Sequence, residues 1–262
     1  MKYEIDDRLM TRAEIDRYME RIGVSGEIRP DLKGLERLQI AHLMHIPYEN
    51  MDSLQGLITS LNHEAMFEKM IIRHRGGICF ELNGLYAWLL KSLGYEVKSH
   101  AARFTSSKEV VQMRRHRVMT VSFDGRRYLT DVGVNSESPR KPLLLIEGLH
   151  QSDDFGEYYF EKHAFWGWLL WQRLPGHQWK RLYGFTEEPQ LDIDFVMPCI
   201  FCDIHPLSPL NKFEKISLYM ADRNIRVWGN HYQEFKDGKK EIDNEISDIE
   251  KRSILREKFG IE

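Results

Sequence analysis

The stretch Arg75-Gly76-Gly77-Ile78-Cys79-Phe80-Glu81-Leu82-Asn83-Gly84-Leu85 lies where the sequence changes from one pattern to another. Its two adjacent glycines permit a sharp turn, and the apolar spacing after them predicts a helix from about Cys79 to Gly94. Unpaired N–H groups at a helix start favour the thiolate, which is the nucleophilic form of cysteine. A buried cysteine with only a structural role fits the same pattern, because free cysteines are often buried.

The chain before this stretch is predicted to be helical. Thr11 and Glu14 form a capping-box pair before one apolar stripe, Asp31 precedes a second, and Asn62 precedes a third. Pro47 is expected to stop the second helix, since proline cannot continue a helical hydrogen-bond ladder. The first ninety or so residues are therefore expected to form a helical lobe.

The chain after Gly94 is predicted to consist mainly of strands. The strand-like segments are residues 95–104, 118–123, 127–134, 143–146, 158–162, 165–174 and 216–235. Aromatic-rich segments punctuated by turns are typical of a small barrel or a curled sheet. Residues 189–209 are mixed and loop-like, and a last helix is expected after Ser247, with Glu250 completing its capping box.

Composition limits the class of protein. The chain has 262 residues, 42% of them apolar, and its net charge is −3, so it can bury a core and is a poor candidate for a general nucleic-acid binder. No apolar run approaches the length of a membrane span, and the first residues lack the apolar region of a secretory signal. Three cysteines are few for a disulfide scaffold and suggest a reducing compartment. We expect a soluble, cytoplasmic protein with no nucleic-acid or membrane partner; its oligomeric state is left open.

The dipeptide Asp124-Gly125 is a strong signal for a two-residue hairpin turn. Counting back from that turn, Val118 faces Asp131 across the hairpin, and His116 lies diagonal to Asp131 on the same face. Diagonal neighbours have Cβ atoms about 7–8 Å apart, so an imidazole–carboxylate hydrogen bond is within reach. The carboxylate can fix the tautomer of the histidine and leave its other nitrogen for a thiol. A solvated histidine beside an unrelated aspartate is the alternative, and the spacing does not bring Cys79 to the hairpin.

Three segments together resemble the arylamine N-acetyltransferase family. They are residues 75–84, the preceding Ile46-Pro47-Tyr48-Glu49-Asn50 and the later Tyr128-Leu129-Thr130-Asp131-Val132-Gly133, and the resemblance runs from about Ile15 to beyond Pro206. It implies a catalytic triad of Cys79 as nucleophile, His116 as base and Asp131 as the residue that orients it. It also implies acetyl-CoA as co-substrate, no permanently bound cofactor, no metal, and an aromatic amine, hydrazine or hydroxylamine as acceptor.

The same resemblance implies an α+β fold with a cysteine-protease-like core. Its parts would be an N-terminal helical lobe over residues 1–94 that carries the cysteine, a central small β-barrel over 95–200 that carries the histidine and aspartate, and a C-terminal α/β lid over 201–262.

The resemblance further implies substrate-binding residues, at which this chain departs from the family pattern. They are Tyr48, Gly133, Val134, Asn135 and Leu210. Val134 and Leu210 take positions that are commonly aromatic, Asn135 replaces a glycine, and Tyr48 matches a position that is often Phe. These changes are expected to alter the preference for acceptors more than catalysis.

Two other functions stay open on the sequence. A cysteine amidase or peptidase would use the same triad with water as the acceptor. A catalytically silent homologue would bind CoA but form no acetyl-cysteine.

Three further features allow a functional interpretation beside a structural one. Cys199 and Cys202 form a CxxC string near His205, but no second ligand pair for zinc is evident. The arginines of the hairpin region form either a solvated face or an attractor for CoA phosphates: Arg114, Arg115, Arg117, Arg126 and Arg127. The tryptophans at 166, 168, 171 and 179 are expected to be strand-face core rather than ligand-stacking residues.

Overall fold

The structure, a computed structural model, describes residues 8–105 and 111–261. Its α-helices are α1 (Arg12–Arg21), α2 (Leu32–His45), α3 (Met51–Leu54), α4 (His63–Phe67), α5 (Cys79–Ser92), α6 (Val196–Ile204) and α7 (Asp248–Phe259). Its strands are β1 (Glu96–Phe104), β2 (His116–Phe123), β3 (Arg126–Thr130), β4 (Leu143–Leu144), β5 (Gln151–Ser152), β6 (Glu157–His163), β7 (Gly167–Arg173), β8 (Lys180–Phe185), β9 (Lys215–Tyr219), β10 (Asn224–Trp228), β11 (His231–Lys236) and β12 (Lys239–Glu245).

The N-terminal helices start at the residues that the capping signals predict. Thr11 accepts a hydrogen bond from the backbone of Glu14, whose carboxylate accepts one from the Thr11 N–H in return. Asp31 caps α2 through the N–H of Gly34, and Asn62 caps α4. These side chains satisfy N–H groups that have no partner inside the helix. The helical start of the chain is confirmed, with α4 running on into a π-helical turn, Glu68–Ile72.

Eight strands form a sheet that closes almost completely into a barrel, with the strand order β4-β3-β2-β1-β8-β7-β6-β5. The side chain of Gln151 joins the two ends of this order, because it donates to the Leu144 carbonyl at 2.9 Å and accepts from the Leu144 N–H at 2.7 Å. Apolar side chains from around the sheet, among them Val118, Phe160 and Tyr183, form one buried cluster. The α+β fold class with a small barrel is confirmed.

The β2–β3 hairpin has the register that its turn predicts. Phe123 pairs with Arg126 and Met119 with Thr130, and both turn residues, Asp124 and Gly125, have positive φ angles. The predicted extension of the return strand to Val134 is wrong, since β3 ends at Thr130. Beyond that residue the backbone bonds to side chains instead of a strand: the N–H of Val132 donates to Asn83 Oδ1, and that of Val134 to Ser138 Oγ.

The second sheet is antiparallel, in the order β12-β11-β10-β9, and α7 packs against it. Its edge strand β9 lies beside the segment that leads to α3, because Tyr48 and Ser217 exchange two backbone hydrogen bonds of 3.0 and 2.9 Å. On its other side this segment bonds to Gly77, just before α5. The second sheet is thereby held next to the start of the cysteine helix.

The prediction that residues 189–209 are mixed and loop-like is wrong for residues 192–204. The chain there forms a 3₁₀ turn, Asp192–Phe195, followed by α6. Pro198 lies in the first turn of α6, where a missing N–H removes no intrahelical bond, so it does not prevent the helix.

The division of the chain at residues 94 and 200 stays a prediction. Within residues 8–105 and 111–261 no helix combines the length and the apolar character needed to span a bilayer.

Candidate active site

Cys79 is the first residue of α5, and close packing around the preceding glycines fixes its position. A Cβ atom on Gly76 would lie 2.0 Å from the carbonyl oxygen of Pro47, and one on Gly77 would lie 2.7 Å from Glu81 Oε2. The Glu81 carboxylate accepts a hydrogen bond of 3.0 Å from the N–H of Ile78 and forms an ion pair with Lys69, whose Nζ lies 2.8 Å away. The glycines thus permit close approach of neighbouring groups, and Glu81 ties down the start of the helix.

The thiol of Cys79 is almost entirely buried, with 5% of the residue exposed. Sγ lies 3.7 Å from the carbonyl oxygen of Arg115, to which the thiol donates. Burial raises the pKa of the Cys79 thiol well above its usual value; Cys202 raises it further, and the Arg115 cation lowers it. The shift is opposite to the one that the helix N-terminus predicts, because the cost of burying a charge is larger. Forming the thiolate therefore needs a base close by.

His116 and Asp131 form the hydrogen bond that the hairpin predicts. His116 Nε2 lies 2.8 Å from Asp131 Oδ2, and both residues are buried. The imidazole ring has Phe104 on one side, at 5.0 Å between ring centroids, and Tyr183 at 5.1 Å. Among the described residues, His116 Nδ1 has no hydrogen-bond partner. The aspartate thus holds one ring nitrogen and leaves the other available for proton transfer.

Asn83 and Gly133 join the hairpin to the cysteine helix. Asn83 lies one helical turn after Cys79. Its side-chain amide donates to Asp131 Oδ1 at 2.8 Å and to the carbonyl of Arg117 at 2.6 Å. The N–H of Gly133 donates to the same Asp131 oxygen, at 2.8 Å. A Cβ on Gly133 would lie 2.8 Å from Cys79 Cα, so only glycine allows this approach. Cys79 therefore lies between the residue before His116 and the residue two after Asp131.

A pocket of about 330 Å³ opens beside Cys79. It contains all five residues named from the resemblance as substrate-binding: Tyr48, Gly133, Val134, Asn135 and Leu210. It also contains residues that the sequence analysis did not single out for a pocket: Phe104, Ser136, Glu137, Pro209, Lys215, Arg226 and Trp228. The pocket lies between the end of the barrel and the β9–β10 strands, which the sequence predicts as strands but does not bring to the cysteine.

Asn83 and Tyr183 are functional candidates that the sequence analysis gave no role. Asn83 belongs to the quoted stretch, and its spacing of four residues from Cys79 places both on one face of the helix. That spacing is the signal that identifies it. Tyr183 lies on β8, a strand that the analysis did not predict, and nothing in the local sequence links it to His116.

The hairpin arginines do not act as one basic patch. Arg117 is buried and pairs with Asp192 at 2.6 Å, Arg127 pairs with Glu187, and Arg114 lies 3.9 Å from Glu188. Arg115 lines the pocket and lies over the ring of Phe104. Of this set, the pocket holds Arg115 alone.

The CxxC cysteines lie on α6 and are buried free thiols. Within residues 8–105 and 111–261, no cluster of three or more His, Cys, Asp and Glu side chains is arranged to hold a metal ion. Trp168 is buried in the barrel core. Trp171 and Trp179 pack against the ring of Tyr159, and all three of these side chains are partly exposed. The core interpretation thus holds for Trp168 and not for Trp171 and Trp179.

Comparison with known proteins gives one consistent result. A family model described as N-acetyltransferase matches residues 31–262. The arylamine N-acetyltransferase of Mycolicibacterium smegmatis is 31% identical over 94% of this chain and 90% of its own length.

Solved structures of arylamine N-acetyltransferases have a fold similar to that of this chain. The arylamine N-acetyltransferase structure from M. tuberculosis superposes with a TM-score of 0.89 at 30% identity, covering 94% of this chain and 93% of the other. The Mycobacterium marinum arylamine N-acetyltransferase in complex with CoA also has a TM-score of 0.89, at 29% identity, with 94% and 92% of the two chains covered.

Proposed function

This chain is an acyltransferase that belongs to the arylamine N-acetyltransferase family, and we propose that it carries an acetyl group from acetyl-CoA to an aromatic amine, hydrazine or hydroxylamine. In this proposal the acetyl group rests on Cys79 between two half-reactions. The observation that carries it is the buried His116–Asp131 hydrogen bond of 2.8 Å; His116 Nδ1 has no hydrogen-bond partner among the described residues, and Cys79 Sγ lies 3.7 Å from the carbonyl oxygen of Arg115, the residue before His116.

The first half-reaction transfers the acetyl group to the protein. His116 takes the proton of Cys79, and Sγ forms a bond to the carbonyl carbon of the thioester. N–H groups at the start of α5 can stabilise the oxyanion of the tetrahedral intermediate. The bond to the CoA sulfur then breaks, the proton on His116 leaves with CoA, and Cys79 carries the acetyl group as a thioester.

The second half-reaction regenerates the thiol. The neutral nitrogen of the acceptor attacks the acetyl carbon, and His116 accepts the proton that the nitrogen loses. The bond from carbon to Sγ breaks, and the proton returns to the cysteine. Weakly basic aromatic amines suit this step because they are uncharged near pH 7. Asp131 holds the imidazole in the required tautomer throughout.

Two further parts of the proposal concern the donor and the location. The likeness to an enzyme structure solved in complex with CoA supports CoA as the donor's carrier. Three free cysteines support a reducing compartment, so we propose the cytoplasm.

Intact-mass measurement after brief exposure to acetyl-CoA tests the proposal. We expect one added acetyl group on the wild-type chain and none on the Cys79→Ala variant. His116→Ala and Asp131→Ala are expected to fold and to acquire the group more slowly by orders of magnitude. An unmodified wild-type chain, or the same adduct on Cys79→Ala, would contradict the proposal.

The same assay, run with and without an aromatic amine, separates the alternatives. Transfer predicts CoA release that depends on the amine once the first acetyl group is bound. A hydrolase with this triad would show neither acetylation nor dependence on CoA. A silent homologue would bind CoA without forming the adduct.

A further inference from the structure

Helix α6 exposes apolar side chains and buries polar ones. Its only charged residue, Asp203, is buried together with Cys199 and Cys202. On the opposite face Met197 is 81% exposed, and Ile204, two helical turns further on, is 47% exposed. A helix on the surface of a globular protein normally has the reverse pattern, with its charged residues in water. The exposed face of α6 therefore has the character of a face that is covered by another molecule.

Neighbouring segments extend this face into a larger apolar surface. Asp203 accepts hydrogen bonds from Ser53 Oγ and from the backbone and side chain of Thr59, which hold the loop after α3 beside the end of α6. Two apolar residues of that loop and one beyond the end of α6 are exposed. We call the whole surface the α6 patch, and it comprises Leu57, Ile58, Met197, Ile200, Ile204 and Leu207.

The α6 patch has the size of an interface core. Met197 and Leu207 are about four-fifths exposed, and Leu57 and Ile58 about half. Six large aliphatic side chains of this exposure present on the order of several hundred square ångströms of apolar surface, which is the most that monomeric proteins usually expose. A stable complex buries about 800 Å² on each partner, with an apolar centre and a polar rim. The α6 patch and the residues around it meet that requirement.

Opposite charges lie at the two ends of α6. Asp194 is exposed just before the helix, and its Oδ2 accepts from the N–H of Leu191. The exposed Lys212 is held beside the other end, where its Nζ donates to the carbonyl of Pro206. Neither charge has an ion-pair partner in the part of the chain that the structure describes. The α6 patch is thus flanked by one unpaired carboxylate and one unpaired ammonium group.

A second copy of this chain matches both the apolar face and the charges. If two α6 helices pack antiparallel about a two-fold axis near Ile200, Met197 of each copy lies opposite Ile204 of the other. Asp194, three residues before Met197, then lies near the segment three residues after Ile204, where Lys212 is held. A membrane surface is a poorer match, because helices that bind anionic lipids carry Lys or Arg, and α6 has neither.

We propose that the α6 patch is the interface of a symmetric homodimer, in which the two α6 helices pack antiparallel and Asp194 of each copy pairs with Lys212 of the other. The apolar face of α6 is then buried, and both free charges are paired. This inference goes beyond the proposed function and does not depend on it.

Sedimentation velocity of the full chain from about 1 to 100 µM measures the dimer. We expect the wild type to be dimeric at the upper end of this range. Met197→Glu places two carboxylates in the apolar interface and should raise the Kd of the dimer about a hundredfold. The matched control is Ile249→Glu on α7, where the side chain is 80% exposed, and it should leave the Kd unchanged. Because Met197 is equally exposed in the single chain, its variant should keep the urea midpoint of the wild-type monomer.

Charge reversal tests the antiparallel arrangement. Asp194→Lys and, separately, Lys212→Glu should each weaken the dimer about tenfold, because like charges then face each other across the interface. The double variant restores opposite charges and should recover most of the wild-type Kd. Losses that add in the double variant would overturn the pairing.

Three further results would overturn the homodimer. One is a wild-type chain that stays monomeric at every concentration. Another is a dimer with the same Kd in wild type and in Met197→Glu, which would place the interface elsewhere. The third is a monomer that floats with vesicles of phosphatidylcholine and phosphatidylglycerol and ceases to do so in Met197→Glu, which would make the α6 patch a membrane-binding surface.

Discussion

In the proposed mechanism, Cys79 and His116 exchange a proton at a place where both residues are buried from water. Burial raises the pKa of the Cys79 thiol, so the uncharged thiol is its resting form when no base takes part. The other ring nitrogen of His116 is held by Asp131, which stabilises an imidazolium once the proton arrives. The reactivity that we propose for Cys79 Sγ therefore depends on His116 as a base and not only on the position of the cysteine at the start of α5.

Alkylation of Cys79 by iodoacetamide should reveal this dependence in its pH profile. In His116→Asn no base can take the proton, so we expect the rate to rise about tenfold per pH unit between about pH 7 and 9, as the thiolate fraction of a thiol with a raised pKa does. The wild-type rate should be higher at pH 7 and change less over this range. Cys79→Ala controls for the other thiols. Parallel profiles for wild type and variant would show that His116 does not activate the sulfur.

The His116–Asp131 pair could be derived from the sequence because a two-residue turn fixes the register of both strands. The role of Asn83 follows from the same kind of local rule, a spacing of one helical turn. The charge environment of the thiol cannot be derived in this way, because Arg115 and Cys202, which shift the pKa of Cys79, come from the start of the hairpin and from α6. Residues far apart in the chain set the pKa of a buried group, and local patterns carry no information on their distance.

Helix α5 starts over a buried network of ion pairs. Lys69 Nζ lies 2.8 Å from Glu81 and 2.7 Å from Asp52, and Arg75 pairs with Asp52 and with the fully buried Glu49. Burial lowers the pKa of Lys69, but its carboxylate neighbours raise it by more, so the lysine stays charged. The network fixes the turn that carries Cys79.

Removal of the Lys69 charge should destabilise the protein strongly. Lys69→Met leaves buried carboxylates with Arg75 as their remaining cation in the network, and breaking a buried pair costs about 3–5 kcal/mol. We expect a loss of this size in the free energy of unfolding, measured by urea denaturation. The matched control is Lys91→Met on the exposed side of α5, with an expected change within about 0.5 kcal/mol. Similar losses in both variants would mean that the network does not stabilise the helix.

Whole elements were predictable where a capping residue or a turn dipeptide marks their ends, as for α1, α2, α7 and the β2–β3 hairpin. Helix α6 was not predicted, because the mixed sequence of residues 189–209 and Pro198 within it indicate a loop, whereas burial against the rest of the molecule favours the helix. Asp203 at its end is buried and accepts hydrogen bonds from Ser53 and from Thr59. Tertiary hydrogen bonds of this kind stabilise a helix that its own sequence specifies weakly.

At the scale of the whole molecule, the candidate pocket exists because two sheets meet beside α5. The barrel contributes Val134 and Arg115, and the second sheet contributes Lys215, Arg226 and Trp228. The sequence indicates strands in both regions but gives no information about their docking.

The contacts that hold the second sheet in place join residues far apart in the chain. Arg140, in the segment after β3, donates to the carbonyls of Ala221 and Arg223. Tyr48 exchanges two backbone bonds with Ser217. No local sequence pattern indicates these contacts. The fold class and the His116–Asp131 hydrogen bond could therefore be predicted, and the charge of the pocket could not.

The stability of the whole fold should fall in mild acid because of a histidine far from the pocket. Tyr18 bonds to His42 Nδ1 at 2.8 Å inside the helical core, and burial, followed by the charges of Arg21 and His45, lowers the pKa of His42 from 6.5 to about 3. Between these two values the unfolded chain binds a proton that the folded protein does not. The free energy of unfolding therefore falls as the pH drops below 6.5, by about 1.4 kcal/mol per pH unit from this residue.

Urea denaturation from about pH 7 to 4.5 tests this contribution. His42→Gln has no titrating ring, so its free energy of unfolding should decline less steeply with falling pH, by about 1.4 kcal/mol per unit below pH 6. Since the substitution also changes packing, the slope and not the absolute value carries the test. The exposed His177, which is not among the groups that shift the pKa of His42, gives the control His177→Gln, which should keep the wild-type slope. If His42→Gln kept that slope as well, His42 would be protonated in the folded protein, and its burial would not limit stability in acid.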